Sequence, residues 1–330
     1  MVSPAVALAL FALGSATVAA VAWPRTGLAA RAARRRLRRS DAVLAEDVLK
    51  RLFHQPTVAL AELARGLEVP EGRVSRAVAG LHASGLVSPG PEGFLLTDGG
   101  RARALELVRA HRLWERYLAD RTGVAEVEWH EEAEREEHRL TQAEAERLAA
   151  RMGRPLVDPH GDPIPDQGEV AVMDGVPLAT LRVGETAEIV HLEDEPTTPY
   201  RRLVEAGLAP GEHVTVIGRE TGGVRLEWSG TSTILDPDEI EAVTVRRAPG
   251  GPQGRRLSSL RVGESARVIA LAPALHGPQR RRLVDLGFVP GTNVEAELSS
   301  ASGDPIAYRV RGALIALRRD QANLIVVEAA

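Results

Sequence analysis

His111–His138, HRLWERYLADRTGVAEVEWHEEAEREEH, carries two histidine–glutamate patterns in tandem. His111 and Glu115 are four residues apart, so on a helix they share one face. His130, Glu134, Glu137 and His138 repeat that spacing on what the pattern predicts as a second helix. Imidazoles and carboxylates converging from two helices supply what a divalent transition metal needs: borderline nitrogen donors and anionic oxygens on rigid supports. An acidic run such as EEAEREEH also suits a plain solvated helix face, with Arg135 and Arg139 interleaved as ion-pair partners. The surrounding chain decides between these readings.

A chain of 330 residues has room for roughly two to three domains. Apolar residues make up 44% and charged residues 26%, ordinary values for globular protein. Aromatics are only 3%, so the cores must be built from Leu, Val and Ala. There is no cysteine. Disulfide staples and thiolate metal sites are therefore excluded, and a metal must be held by His, Asp, Glu or carbonyl oxygen. The net charge of −4 argues neither for nor against nucleic acid, but the charge is uneven: arginine-rich near the start, acidic in the middle.

From Val2 to Trp23 the sequence is uncharged and rich in Ala, Val and Leu. That length matches the roughly 20 residues a helix needs to cross a bilayer. A cleaved signal peptide would begin with positive residues, whereas here Arg25, Arg31, Arg34, Arg35, Arg36, Arg38 and Arg39 all follow the apolar run. The expectation is a single-pass anchor in the inner membrane, with Trp23 at its interface and the bulk of the chain cytoplasmic. Arg25 to Arg39 would then form a flexible tether. The arginines suit anionic lipid and DNA phosphate alike.

Asp41 to His54 has apolar residues at helical spacing, and Pro56 stops the helix. A short helix is expected at Leu60 to Leu67 and a third at Arg73 to Ser84, with Gly85 at its end. Leu86 to Leu96 reads as a hairpin turning at Pro89-Gly90-Pro91. Helix, helix, turn, helix, hairpin is the winged helix-turn-helix order, whose third helix enters the major groove. Arg73, Ser75 and Arg76 lie at its amino-terminal end, where base edges and phosphates are reached. The same order also occurs in protein-interaction modules.

At this point Asp41 to about Pro165 resembles the metal-dependent repressors of the diphtheria toxin repressor and manganese transport regulator family. A long helix from about Asp98 to Asp120 carries the HRLxE element as His111-Arg112-Leu113-Trp114-Glu115. The second ligand element reads His130, Glu134, Glu137, His138. Thr141 with Glu144 resembles a capping box, and HGDPIP, His160 to Pro165, looks like the family's closing loop. The resemblance implies His111, Glu115, His130, Glu134, Glu137 and His138 as ligands for Mn²⁺ or Fe²⁺, joined by Asp47 from the first helix. Lys50 stands where manganese regulators place a further acid, which puts a dinuclear arrangement in doubt. The resemblance also implies a homodimer bound to a double-stranded DNA operator, with metal setting the separation of two recognition helices. Trp114, Leu118, Leu140 and Leu148 fit either the dimer face or intrachain core.

Beyond the Pro- and Gly-rich connector Pro155–Gly168, two segments echo each other. One reads PLATLRVGETAEIVHL and then YRRLVEAGLAPGEHVTVI; the other reads RLSSLRVGESARVIAL and then RRRLVDLGFVPGTNVEAEL. Each predicts a strand after RVGE, a short helix ending at Gly207 or Gly287, and a strand after the Pro-Gly turn. Both resemble the small SH3-like FeoA domain, the second copy more closely. Ala248 to Gly254 links them.

No nucleophile–base pair, phosphate-binding glycine loop or paired catalytic carboxylate stands out, so an enzyme is not expected. The expected fold class is multidomain α+β: a transmembrane anchor and tether over 1–40, a winged helix-turn-helix over 41–100, and a helical metal-binding and dimerisation domain over 101–168. Two SH3-like β-barrels follow over 169–248 and 255–330. The expected function is metal-dependent transcription regulation. The rival is a membrane-anchored accessory protein of a ferrous iron transporter.

Overall fold

The computed structural model describes residues 28–166, 168–228, 230–248 and 254–329. The expected anchor, Val2 to Trp23, lies outside these residues. Among the described residues no helix is long and apolar enough to cross a membrane. The chain divides into two compact units, Met1–Val108 and Arg109–Ala330.

In the first unit α1 spans Leu28–His54, beginning well before the expected Asp41. Nothing between them breaks a helix, since Ala, Arg and Leu are strong helix formers. The arginine-rich segment from Leu28 onward is thus helical. α2 (Leu60–Gly66) and α3 (Glu71–Ala83) follow, then the antiparallel hairpin β1 (Val87–Gly90) and β2 (Gly93–Leu96). Val48, Leu49 and Leu52 of α1 pack with Leu63, Val74, Val78 and Val87 into one core. Val58 bridges to Phe94. That close approach requires glycine at 93, where a Cβ would lie 2.3 Å from the Val58 carbonyl oxygen.

Helix α4 (Asp98–Arg121) runs from the first unit into the second. In the second unit its later turns pack with α6 (Gln142–Arg151) through Ala110, Leu113, Ala145, Leu148 and Ile164. Between these helices lies α5 (Trp129–Glu137). Thr141 and Glu144 form the expected capping box, each side chain bonding the other's backbone N–H. Trp114 and Leu140 pack against the same core as Leu148, and Leu118 packs with Trp129. All four thus make intrachain contacts, Leu118 and Leu148 buried, Trp114 and Leu140 partly exposed.

Each carboxy-terminal copy is a six-stranded antiparallel sheet with one shared topology. The first runs β3 (Val176–Pro177), β8 (Val243–Arg247), β4 (Thr186–Leu192), β5 (His213–Glu220), β6 (Gly223–Trp228), β7 (Thr231–Leu235). The second runs β9 (Arg255–Arg256), β14 (Ile325–Ala329), β10 (Ser265–Leu271), β11 (Asn293–Ser299), β12 (Ile306–Val310), β13 (Ala313–Leu317). Even the bulges correspond, between Ile189/His191 and Val216/Gly218 in one copy and Val268/Ala270 and Ala296/Leu298 in the other. In each copy one helix, α7 (Thr197–Ala206) or α9 (Gly277–Asp285), follows the strand after the RVGE turn. A short helix also precedes the last strand of each copy: α8 (Pro237–Glu241) and α10 (Arg319–Ala322). Alternation along β4, β5, β10 and β11 sends Ala187, Ile189, Val214 and Val216, or Ala266, Val268, Val294 and Ala296, inward. β13 forms the outer edge of the second sheet; its ALIAL run leaves Leu314 half-exposed between exposed Arg311 and Arg318.

Candidate metal centre

On α4 the four-residue spacing holds: His111 and Glu115 point into the second unit, Glu115 with 1% of its surface exposed. His111 Nε2 lies 2.9 Å from Glu115 Oε1. Its Nδ1 lies 2.5 Å from Glu137 Oε2, on α5. Helical spacing on α5 turns Trp129, Ala133 and Glu137 inward and leaves Glu134 exposed. His130 reaches the same place, with Nδ1 3.4 Å from Glu115 Oε1. The His111 and His130 rings are 4.8 Å apart. Glu134 Oε1 is 3.7 Å from His130 Nε2, on the outer side. His138 caps α5 with Nε2 3.6 Å from Glu137 Oε1. Asp47 sits half-buried on α1, in the other unit.

Two overlapping groups can each hold a cation, one of His111, Glu115 and His130, the other of Glu115, Asp158 and His160. Sequence reasoning took His160 to Pro165 as a closing loop and named no ligand in it. The Asp158 carboxylate accepts the backbone N–H groups of His160 and Asp162, both at 2.9 Å, which folds the loop tightly. Arg112 of α4 pins the loop, donating to the Pro163 carbonyl at 2.6 Å and to Asp162 at 2.9 Å. Gly161 has φ +99°, and a Cβ there would lie 1.9 Å from the Val190 carbonyl, so only glycine lets the loop lie against β4. His160 Nδ1 ends 3.8 Å from Glu115 Oε2.

The first β copy contributes as well. Asp194 and Glu195, in the connection between β4 and α7, place carboxylate oxygens 2.8 Å from His130 Nδ1 and 3.2 Å from its Nε2. Asp194 Oδ2 is also 3.7 Å from His160 Nδ1. The acidic run EDEP was the available signal, but only the packing of the copy against the helices gives it meaning.

The electrostatics fit a cation. Burial works to raise the Glu115 carboxyl, yet the His111 and His130 imidazoles hold it well below the usual range. Burial would lower His130, but Asp194, Glu115 and Glu195 push it up to about 12. Asp158 is raised, first by burial and then by the Glu115 and Asp162 carboxylates beside it. Protonated imidazole thus balances the buried acids, and a divalent ion could take over that balance with release of protons. Among the described residues the buried His160 Nε2 has no hydrogen-bond partner, which leaves a nitrogen ligand available. Imidazole and carboxylate without thiolate suit Mn²⁺ or Fe²⁺.

Among the sequence-derived DNA-contact candidates, Ser75 and Arg76 are exposed at the start of α3. Arg73 is half-buried and donates to Ser40 Oγ at 2.9 Å and Asp41 Oδ1 at 3.2 Å.

Proteins similar to this chain include metal-dependent repressors. The family described as iron dependent repressor, metal binding and dimerisation domain matches residues 97–166. The FeoA domain family matches twice, at 176–247 and 255–329. The chain is 33% identical over 202 residues to the diphtheria toxin repressor of Corynebacterium glutamicum, covering 58% of this chain and 88% of that protein. It is 32% identical over 203 residues to the iron-dependent repressor IdeR of Mycobacterium tuberculosis, with 57% and 88% covered. A solved manganese-dependent transcriptional repressor in complex with manganese is similar at 30% identity and a TM-score of 0.57, over 62% of this chain and all of that one.

Proposed function

The chain belongs to the family of the diphtheria toxin repressor and the iron-dependent repressor IdeR, and from that premise we propose that it is a metal-dependent DNA-binding transcription regulator. Mn²⁺ or Fe²⁺ is the activating cofactor. One observation carries the proposal: two ligand groups, largely buried and overlapping at Glu115, assembled from α4, α5 and the closing loop, with Asp194 of the first β copy beside them.

His111, Glu115 and His130, with Asp194 at hand, would hold one ion; Glu115, Asp158 and His160 would hold the other. The resemblance adds Glu134, Glu137, His138 and, from the first helix, Asp47. A bound cation supplies charge that ties these side chains together, removing the freedom of the elements that carry them. His111 and Glu115 orient α4, and Arg112 keeps the loop ligands in place. In a homodimer, that stiffening would fix the spacing of two α3 helices over two half-sites of an operator. Ser75 and Arg76 would reach base edges or phosphates, and Arg73 would have to leave Asp41 to join them. That exposed pair contributes little, so its exchange for phosphate is cheap.

We read each β copy as a small SH3-like barrel and Val2 to Trp23 as a single-pass inner-membrane anchor, with the regulator on the cytoplasmic side. The two FeoA-type segments favour a ferrous iron transporter in that membrane as a second partner, which co-purification from solubilised membranes tests. Fractionation of cells expressing the full chain tests the anchor; recovery in the soluble fraction refutes it.

The function is tested by selecting from a random-sequence DNA duplex pool with the full chain. Enrichment of a palindromic site is expected with Mn²⁺ or Fe²⁺ and not with chelator. Equal binding in both conditions refutes metal dependence, and no enrichment in either refutes the regulator.

A further inference from the structure

In the second β copy, the connection between β10 and α9 carries His276 and Gly277. It is the counterpart of the connection between β4 and α7 that brings Asp194 to the metal centre. It too lies against the helical core. The His276 ring meets the Trp129 indole edge-to-face, with centroids 5.4 Å apart and planes at 83°. Trp129 is buried, donates its indole N–H to the Val124 carbonyl at 3.1 Å, and immediately precedes His130. Trp129 also lies 6.1 Å from the His160 ring, and His160 in turn meets Tyr200 of α7 at 5.2 Å. Ring contacts thus link His276, Trp129, His160 and Tyr200 in series, one end supplied by the connection before α9 of the second copy and the other by α7 of the first.

Two further contacts hold the His276 end of that series. Gly277 has φ +54°, and a Cβ there would stand 2.6 Å from the Thr122 carbonyl oxygen and 2.9 Å from that of Ala119, at the end of α4. Arg281 donates to the Asp120 carbonyl at 3.3 Å. Carbonyls at a helix C-terminus have no partner within the helix, so a cationic donor is favourable there. The copies are also joined to each other, through the buried pair Arg256–Glu212 at 3.3 Å.

We propose that the second copy is a clamp on the metal centre, and that His276 and Gly277 are positioning residues for the ligands His130 and His160, acting through Trp129. A ligand adds affinity only when its donor atom is held where the ion needs it, and outer partners that orient ligands are each worth about 10–100-fold in metal affinity. The clamp rests on the metal-centre reading above. It assigns the second copy a part in the sensor in place of a passive appendage.

The test is calorimetric titration of the full chain with Mn²⁺, below the lowest melting temperature of any variant. His276→Ala is expected to weaken Mn²⁺ binding about 10–100-fold, and His276→Phe to restore most of it. Phenylalanine keeps the edge-to-face contact but cannot ligate. Gly277→Val is expected to weaken binding as well, while Leu298→Ala, at an exposed position of the same copy, leaves it unchanged. Trp129 emission should shift in His276→Ala and return in His276→Phe. Wild-type affinity in both His276→Ala and Gly277→Val overturns the clamp. If one of the two does not fold, wild-type affinity in the other overturns it alone, and Arg281→Ala stands in should both fail. Loss of affinity in Leu298→Ala also overturns it, because any disturbance of the copy would then suffice. Absence of Mn²⁺ binding by the wild-type chain overturns the metal centre itself, a distinguishable result.

Discussion

Replacing Glu126 by glutamine should remove much of the pH dependence of stability in the metal-free protein. Glu126 precedes α5 in a short 3-10 turn and receives the Tyr200 hydroxyl at 3.2 Å. Burial raises its carboxyl from 4.5 to about 7, and the Tyr200 hydrogen bond only partly opposes that. A group whose folded value is raised holds its proton more tightly folded than unfolded. Its contribution is therefore fully present below pH 4.5 and is lost as pH rises through about 7. At about 1.36 kcal/mol per pH unit the loss amounts to about 3 kcal/mol by pH 8. In a unit of this size that is on the order of 10 °C in melting temperature. Calorimetric scans of wild type and Glu126→Gln, both metal-free, at pH 5, 6, 7 and 8 measure it. The variant should melt close to wild type at pH 5 and clearly above it at pH 8. Parallel curves for the two proteins would refute the reasoning, because the titrating group would then lie elsewhere.

Glu115→Gln should sharply reduce the rise in melting temperature produced by Mn²⁺, since the two overlapping ligand groups lose the same carboxylate; an unchanged thermal shift contradicts the assignment. Glu134→Gln, on the exposed side of α5, should cost far less in the same assay. Gly161→Ala should destabilise the second unit by more than about 1 kcal/mol and weaken Mn²⁺ binding, read by denaturant melts and titration, because the loop can no longer lie against Val190. Arg76→Ala should lower affinity for the selected duplex at every sequence tested and reduce the log–log salt slope by about 1 if it neutralises one phosphate; an unchanged slope removes it from the interface.

What could be read from the chain in advance was whatever lies within one helix or repeats along it. His111 with Glu115, and His130 with Glu137, share faces because helical periodicity is local, and the shared RVGE and Pro-Gly punctuation announced two copies of one β topology. The rest depended on packing. Asp158 and His160 join Glu115 across more than forty positions, and Asp194 joins His130 across sixty-four. No spacing rule links them. The start of α1 was placed at Asp41 because the apolar helical spacing begins there, whereas helix-favouring residues extend the helix back to Leu28. Arg73 meets Asp41 only because α1 and α3 pack together. Trp114, Leu118, Leu140 and Leu148 suited two surfaces equally as sequence; contacts within the chain bury Leu118 and Leu148 and leave Trp114 and Leu140 partly exposed.

β13 ends the second sheet with an apolar ALIAL run whose outer N–H and C=O groups meet no further strand among the described residues. Such a rim is a template on which another molecule's strand could grow. Arg311 and Arg318 bracket it, so two molecules approaching rim to rim bring like charges together before any backbone bond can form. Concentrated brine would mute that repulsion, and shelf life and filament formation would then depend on the buffer more than on the metal.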